Sequence, residues 1–117
     1  FVTMDSDDPT GLGRIIRDSN DEVIGIVEEK NATPEQKKIK EVNLGCYVIN
    51  KKYLEDNISE IHKNPVTGEY YITDIIDIIA HQKGKIAAHK LTDGKWHGVN
   101  TKDDLAAAES LLSDGSK

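Results

Sequence analysis

The sequence has a single cysteine, Cys46, so no disulfide can close within the chain. A reducing compartment, the cytoplasm by default, is the expected setting. Aromatic residues are also scarce: one Phe, one Trp and four Tyr in 117 residues. No apolar run approaches the roughly 18 residues of a membrane-spanning helix, and Phe1 to Thr10 has neither the basic nor the hydrophobic region of a secretory leader. Basic residues are outnumbered, 15 Lys and Arg against 21 Asp and Glu, for a net charge of -6. Gripping a nucleic-acid backbone requires a clustered basic face. The densest basic run here, Lys37-Lys38-Ile39-Lys40, lies between acidic residues and reads as solvated surface. Neither a membrane nor a nucleic acid is an expected partner.

What is present is an ordinary soluble composition, 37% hydrophobic and 31% charged. A chain of this length buries roughly two-thirds of its extended surface on folding, enough for one domain with a core. Arg14 to Arg17 and Val23 to Glu28 are β-rich runs around Asp18-Ser19-Asn20-Asp21, which predicts a hairpin. Phe1 to Met4 is a further candidate strand, followed by the turn cluster Asp7-Asp8-Pro9-Thr10-Gly11. Thr33-Pro34-Glu35-Gln36 has the hydroxyl, proline and glutamine of a capping box and predicts a short helix from Pro34.

Alternation from Val42 to Ile49 predicts a strand with Val42, Leu44, Cys46 and Val48 on one apolar face, making Cys46 an inert core residue. Leu54, Ile58 and Ile61 behind the cap Asn50 predict a helix of about three turns. Ile72, Ile75, Ile76 and Ile79 give the clearest helix, with Thr73 as N-cap, Asp74 and Asp77 at its positive end, and Ile72 facing inward. Lys85 to Leu91 reads as a strand and Trp96 to Val99 as a short strand or turn. Thr101 to Asp104 reads as a capped start before Leu105, Ala108 and Leu112, and Ser113 to Lys117 as a frayed tail. Short strands alternating with helices predict an α/β architecture: a mixed sheet flanked by helices.

Familiar chemical motifs are weak. Gly11-Leu12-Gly13 lacks the third glycine and the helix of a dinucleotide fingerprint. The four histidines show no zinc-ligand spacing, and Asp5, Asp7 and Asp8 precede a proline as turn formers do. What remains is a set of polar residues at element ends: Gly13, Glu28, Asn43, Tyr71, Thr73 and Asn100. Ligand sites of α/β sheets gather at strand ends, and a carboxylate with an amide suits sugar hydroxyls or an acetamido group. Each also has a purely structural reading, such as strand-edge charge, core lid or helix cap.

The same residues carry a resemblance. "DDPTGLGRIIRD", "VIGIVEEKNATPEQKKIKEVNLGCYVI", "GEYYITDIIDIIA" and "GVNTKDDLAAAE", in this order, resemble the latter half of the uridylyltransferase domain of bacterial bifunctional N-acetylglucosamine-1-phosphate uridyltransferase/glucosamine-1-phosphate acetyltransferases. The resemblance implies a partial Rossmann-like nucleotidyltransferase fold. It also implies a parent reaction that transfers a uridylyl group from UTP to N-acetylglucosamine 1-phosphate, releasing pyrophosphate and requiring magnesium. Carried over position by position, Gly13, Glu28 and Asn43 resemble the sugar-reading groups, and Tyr71 and Thr73 the pair that closes over the sugar and its phosphate, with Tyr70 packing. Asn100 resembles a neutral magnesium ligand.

Leu12 and Leu44 depart from the usual Tyr and Thr. The glycine-rich G-x-G-T-R-M signature, the catalytic lysine, the uracil-reading residues and the hexapeptide-repeat helix are found nowhere in the 117 residues. The expectation is a single sugar-phosphate-binding half-domain, residues 1–117, inactive by itself and able to pair with a second copy through exposed sheet edges. A nucleotidyltransferase for another sugar 1-phosphate, such as glucose 1-phosphate with UTP or dTTP, and a non-catalytic sugar-nucleotide-binding module are the alternatives.

Overall fold

The computed structural model describes residues 1–114. Five strands form one mixed sheet: β1 (Val2–Asp5), β2 (Arg14–Arg17), β3 (Val23–Val27), β4 (Glu41–Asn43) and β5 (His89–Leu91), in the order β3-β2-β4-β1-β5. β1 is antiparallel to β4 and parallel to β5, and β2 is antiparallel to β3 and β4. Three α-helices accompany the sheet: α1 (Lys51–Asn57), α2 (Asp74–His81) and α3 (Lys102–Asp114). The architecture is the α/β mixed sheet with helices expected for a Rossmann-like nucleotidyltransferase.

The β2–β3 hairpin forms where local chemistry demands it. Asp18 Oδ1 accepts from the amides of Asn20 (2.8 Å) and Glu22 (2.9 Å), an arrangement that closes a turn from its own side chain. α2 packs Ile75, Ile76 and Ile79 against Ile15, Val23 and Ile26 of the hairpin, and these six residues form the buried core cluster. Removing each such side chain from water contributes about 1.5–3 kcal/mol, so this helix–hairpin contact anchors the fold.

Across the rest of the sheet the tie is ionic. The Glu41 carboxylate accepts two bonds from Arg17, Nε to Oε2 and Nη2 to Oε1, both 2.8 Å, and one from Thr3 Oγ1 at 2.7 Å. Lys90 Nζ stands 3.4 Å from Oε2. One carboxylate therefore binds β1, β2, β4 and β5 together. Hydrogen bonding from Arg17, and then from Thr3, holds its pKa down to about 2 against the opposing effect of burial.

Several expectations are corrected. The strand predicted from Val42 to Ile49 covers only Glu41–Asn43. β2 pairs with β4 through Arg14 and Val42 alone, and Gly45 turns the chain with φ +74, a region that favours glycine. Beyond Asn43 only two bonds to Val2 persist, and Val48 is 94% exposed. Cys46 is likewise exposed and not a core residue.

The strand predicted over 85–91 shrinks to His89–Leu91, and residues 96–99 form no strand. At Thr33 the capping box forms in both directions, Thr33 N to Gln36 Oε1 (2.9 Å) and Gln36 N to Thr33 Oγ1 (3.2 Å). The helix behind it is one 3-10 turn, Gln36–Lys38, because β4 begins three residues later.

Asn50 caps α1 through Lys52 N, and a 3-10 turn, Ile58–Glu60, completes the predicted three turns, although Ile58 is exposed. Ile72 is 45% exposed and does not face inward, and Tyr70, expected to pack, is 66% exposed. α3 starts at the predicted box, with Asp104 N donating to Thr101 Oγ1 and Asp104 Oδ2 accepting from Thr101 N. Ser113 and Asp114 belong to α3 instead of a frayed tail, and the rest of that tail lies outside the described residues.

Candidate functional site

Four of the six residues singled out from sequence are joined by direct contacts. Gly13 precedes β2, Glu28 follows β3, Asn43 ends β4 and Thr73 precedes α2, so antiparallel pairing brings three chain segments to one end of the sheet. The Gly13 carbonyl accepts from Asn43 N at 2.9 Å. A Cβ at position 13 would lie 3.3 Å from Glu28 Oε1 and 3.1 Å from Ile26 Cγ2, so only glycine lets the carboxylate approach this backbone without displacement. Glu28 Oε1 in turn accepts from Thr73 Oγ1 at 3.0 Å.

Thr73 was expected to cap α2, but it makes no side-chain cap bond: its buried hydroxyl is committed to Glu28. Asn43 Oδ1 accepts from Gly45 N at 3.0 Å, and the Asn43 side chain also bears on the buried Tyr47 hydroxyl, drawing its pKa down against the larger effect of burial. Tyr71 shares with Glu28 a cavity of about 340 Å³ beside β3, lined also by Asn64, Asp74 and Asp77. Its hydroxyl donates to Glu69 Oε2 (2.9 Å) and lies 2.8 Å from Thr67 Oγ1, within its own loop. Asn100 is not brought to this group: it is exposed, and its backbone N–H donates to Asp104 Oδ2 at 3.0 Å.

Two neighbours escaped the sequence reading. Arg14 is almost wholly buried and bonds both the Leu12 carbonyl and Glu29 Oε2, the latter at 2.6 Å. The Arg14 guanidinium lowers the Glu29 pKa and ties the segment after Gly13 to the segment after Glu28. An arginine opening an apolar strand was the available signal. Tyr47 stacks on Phe1 (centroids 5.9 Å apart, 29° between planes), and burial pushes its hydroxyl up to about 12. A second cavity, about 400 Å³, is lined mainly by apolar side chains such as Phe1, Tyr53 and Ile76. It contains none of the six residues, although Asn50 and Lys85 also line it.

The described residues do not make a divalent-cation site by themselves. No group of three or more His, Cys, Asp or Glu among them is placed to hold a metal ion. Asn100 offers one neutral oxygen, and Asp104 Oδ2 accepts from the backbone amides of Asn100 and Thr101 just ahead of α3; the Thr101 side chain and these amides hold the Asp104 pKa down. No helix among the described residues is long and apolar enough to cross a membrane.

The chain with this mixed α/β sheet belongs to the nucleotidyl transferase family, whose model matches residues 1–115. Among individual relatives it is 45% identical over 113 residues to the bifunctional protein GlmU of Streptococcus mutans, covering 96% of this chain and 25% of that protein. It is 44% identical over 113 residues to bifunctional protein GlmU of Streptococcus uberis, and 44% identical over 106 residues to that of Caldanaerobacter subterraneus subsp. tengcongensis. The resemblance read from the four sequence blocks is thereby borne out. The chain spans about a quarter of the length of these curated relatives.

Proposed function

We propose that this chain is the sugar-phosphate-binding half of a sugar-1-phosphate uridylyltransferase, whose parent reaction converts UTP and N-acetylglucosamine 1-phosphate to UDP-N-acetylglucosamine and pyrophosphate. The observation that carries this reading is the linked set Gly13, Asn43, Glu28 and Thr73. The Glu28 carboxylate accepts from sugar hydroxyls, and Asn43 Nδ2 donates to the acetamido carbonyl. Thr73 and Tyr71 border the same carboxylate on the side from which α2 approaches. On ligand entry the Thr73 hydroxyl leaves Glu28 for a phosphate oxygen, freeing Glu28 Oε1 for the sugar. In the parent reaction a sugar phosphate oxygen attacks the α-phosphorus of UTP, and the task of these residues is to hold that oxygen in place. Asn100 alone is not a magnesium site, so no step is routed through the metal.

Calorimetric titration of the chain tests the reading. UDP-N-acetylglucosamine is expected to bind about tenfold more tightly than UDP-glucose, the worth of one added hydrogen bond to the acetamido group. Asn43→Ala should erase that preference. Binding of neither sugar nucleotide would refute the proposal, and an unaltered preference in Asn43→Ala would favour another sugar. The pure chain should release no pyrophosphate from UTP and N-acetylglucosamine 1-phosphate, and a coupled phosphate assay showing release would overturn the half-site reading.

A further inference from the structure

α2 is fastened to β3 at two points. One is the Thr73–Glu28 bond. The other lies one helical turn on: Asp77 Oδ1 accepts from the Ile26 amide at 3.0 Å. That carboxylate rests against Gly25, where a Cβ would come within 2.4 Å of Oδ1, so the notch exists only because position 25 carries no side chain. The two fastenings match in pitch. Thr73 and Asp77 are four residues apart on a helix, an advance of about 6 Å, while Ile26 and Glu28 are two apart along an extended strand, about 6.6 Å. A helix seated at Asp77 therefore delivers Thr73 to Glu28 without sliding along the strand.

We propose that Asp77, lodged at Gly25, is a positioning residue that sets the register of α2 on β3 and thereby holds Thr73 against Glu28. Apolar packing of Ile75, Ile76 and Ile79 fixes that the helix docks, but isoleucines tolerate small axial shifts that a single carboxylate-to-amide bond does not. The functional meaning of the lock rests on the reading of Glu28 and Thr73 as sugar-site groups.

The test uses the 117-residue chain carrying Asp77→Asn, Asp77→Ala or Asp77→Glu. Proton exchange by NMR reports the Ile26 amide and the Thr73 hydroxyl without any ligand. D77N, which keeps an acceptor at the same reach, should leave both slow. D77A should speed both by about tenfold or more, as expected for loss of one hydrogen bond to a charged group. D77E, one methylene longer, should displace α2 and speed the Thr73 hydroxyl. Should D77A fail to fold, the contrast between D77N and D77E decides alone. Thr73 exchange unchanged by D77E, or equal in the two, overturns the lock.

Affinity for UDP-N-acetylglucosamine separates positioning from general stability. D77A should weaken binding about tenfold in the native background and have no further effect in Thr73→Val, because Asp77 acts on the ligand only through the placement of the Thr73 hydroxyl that meets the phosphate. Equal effects in both backgrounds would reduce Asp77 to a stabilising residue and overturn the proposal. A native chain that binds no sugar nucleotide refutes the proposed function, while the exchange contrast still decides the lock.

Discussion

Replacing Glu41 with alanine is expected to lower the unfolding free energy by about 3 kcal/mol, the usual loss when one partner of a buried ion pair is removed. The reason is the number of strands that meet on this carboxylate. Arg17, Thr3 and Lys90 approach it from β2, β1 and β5, and its side chain is only 8% exposed. Without it the Arg17 guanidinium, itself only 24% exposed, loses both of its carboxylate bonds and is left with the Asp21 carbonyl and a longer contact to the Asp21 side chain.

The same residue predicts a pH dependence. Its folded pKa, about 2, lies below the ordinary 4.5, so its contribution is fully present above pH 4.5 and is lost as pH falls through 2. At about 1.4 kcal/mol per unit, that difference amounts to about 3 kcal/mol. Urea unfolding between pH 7 and pH 2 should show native stability falling over this window and a clearly flatter profile in Glu41→Gln. Asp77 and Asp74 work the other way: burial raises both, so they favour the folded state as pH falls. Parallel profiles for native and Glu41→Gln would disprove the assignment.

The second large effect is on binding. Glu28→Ala is expected to weaken UDP-N-acetylglucosamine binding about a hundredfold, which corresponds to about 3 kcal/mol for hydrogen bonds to a charged acceptor. Glu28→Gln keeps an acceptor without the charge and should cost about tenfold. Both variants should unfold within about 1 kcal/mol of the native chain, because Glu28 is only half-buried and its side chain gives up a single bond, to Thr73. Titration calorimetry beside urea unfolding separates the two quantities. An affinity loss that merely tracks a loss of stability would sink the role assigned to Glu28.

Much of this architecture was legible because it is local. The β2–β3 hairpin rests on a turn closed by Asp18, α2 on isoleucines at helical spacing, and the Thr33 and Thr101 boxes on side chains three residues apart. Where the reading failed, the deciding partner was distant or missing. Val42 to Ile49 alternates like a strand, but a strand needs neighbours, and β2 meets β4 at a single residue pair. The Glu41 network joins residues 24 to 49 positions apart, and no periodicity announces such a convergence. Of the site, Gly13, Glu28, Asn43 and Thr73 stood out as residues at element ends, drew their sugar-reading roles from the family resemblance, and are joined in the structure. Asn100 stands apart, bound into the start of α3. Without the resemblance, most of the six would have kept structural roles.

The ends of the sheet are unequal. At the β3 end the outward amide of Ile26 is already taken by Asp77, so an added strand would have to evict a carboxylate seated against Gly25. At the β5 end all three residues are exposed and no further strand follows among the described residues. An amide already bonded to a carboxylate cannot also pair with an incoming strand, so the Asp77–Ile26 bond withholds one donor of β3 from edge pairing.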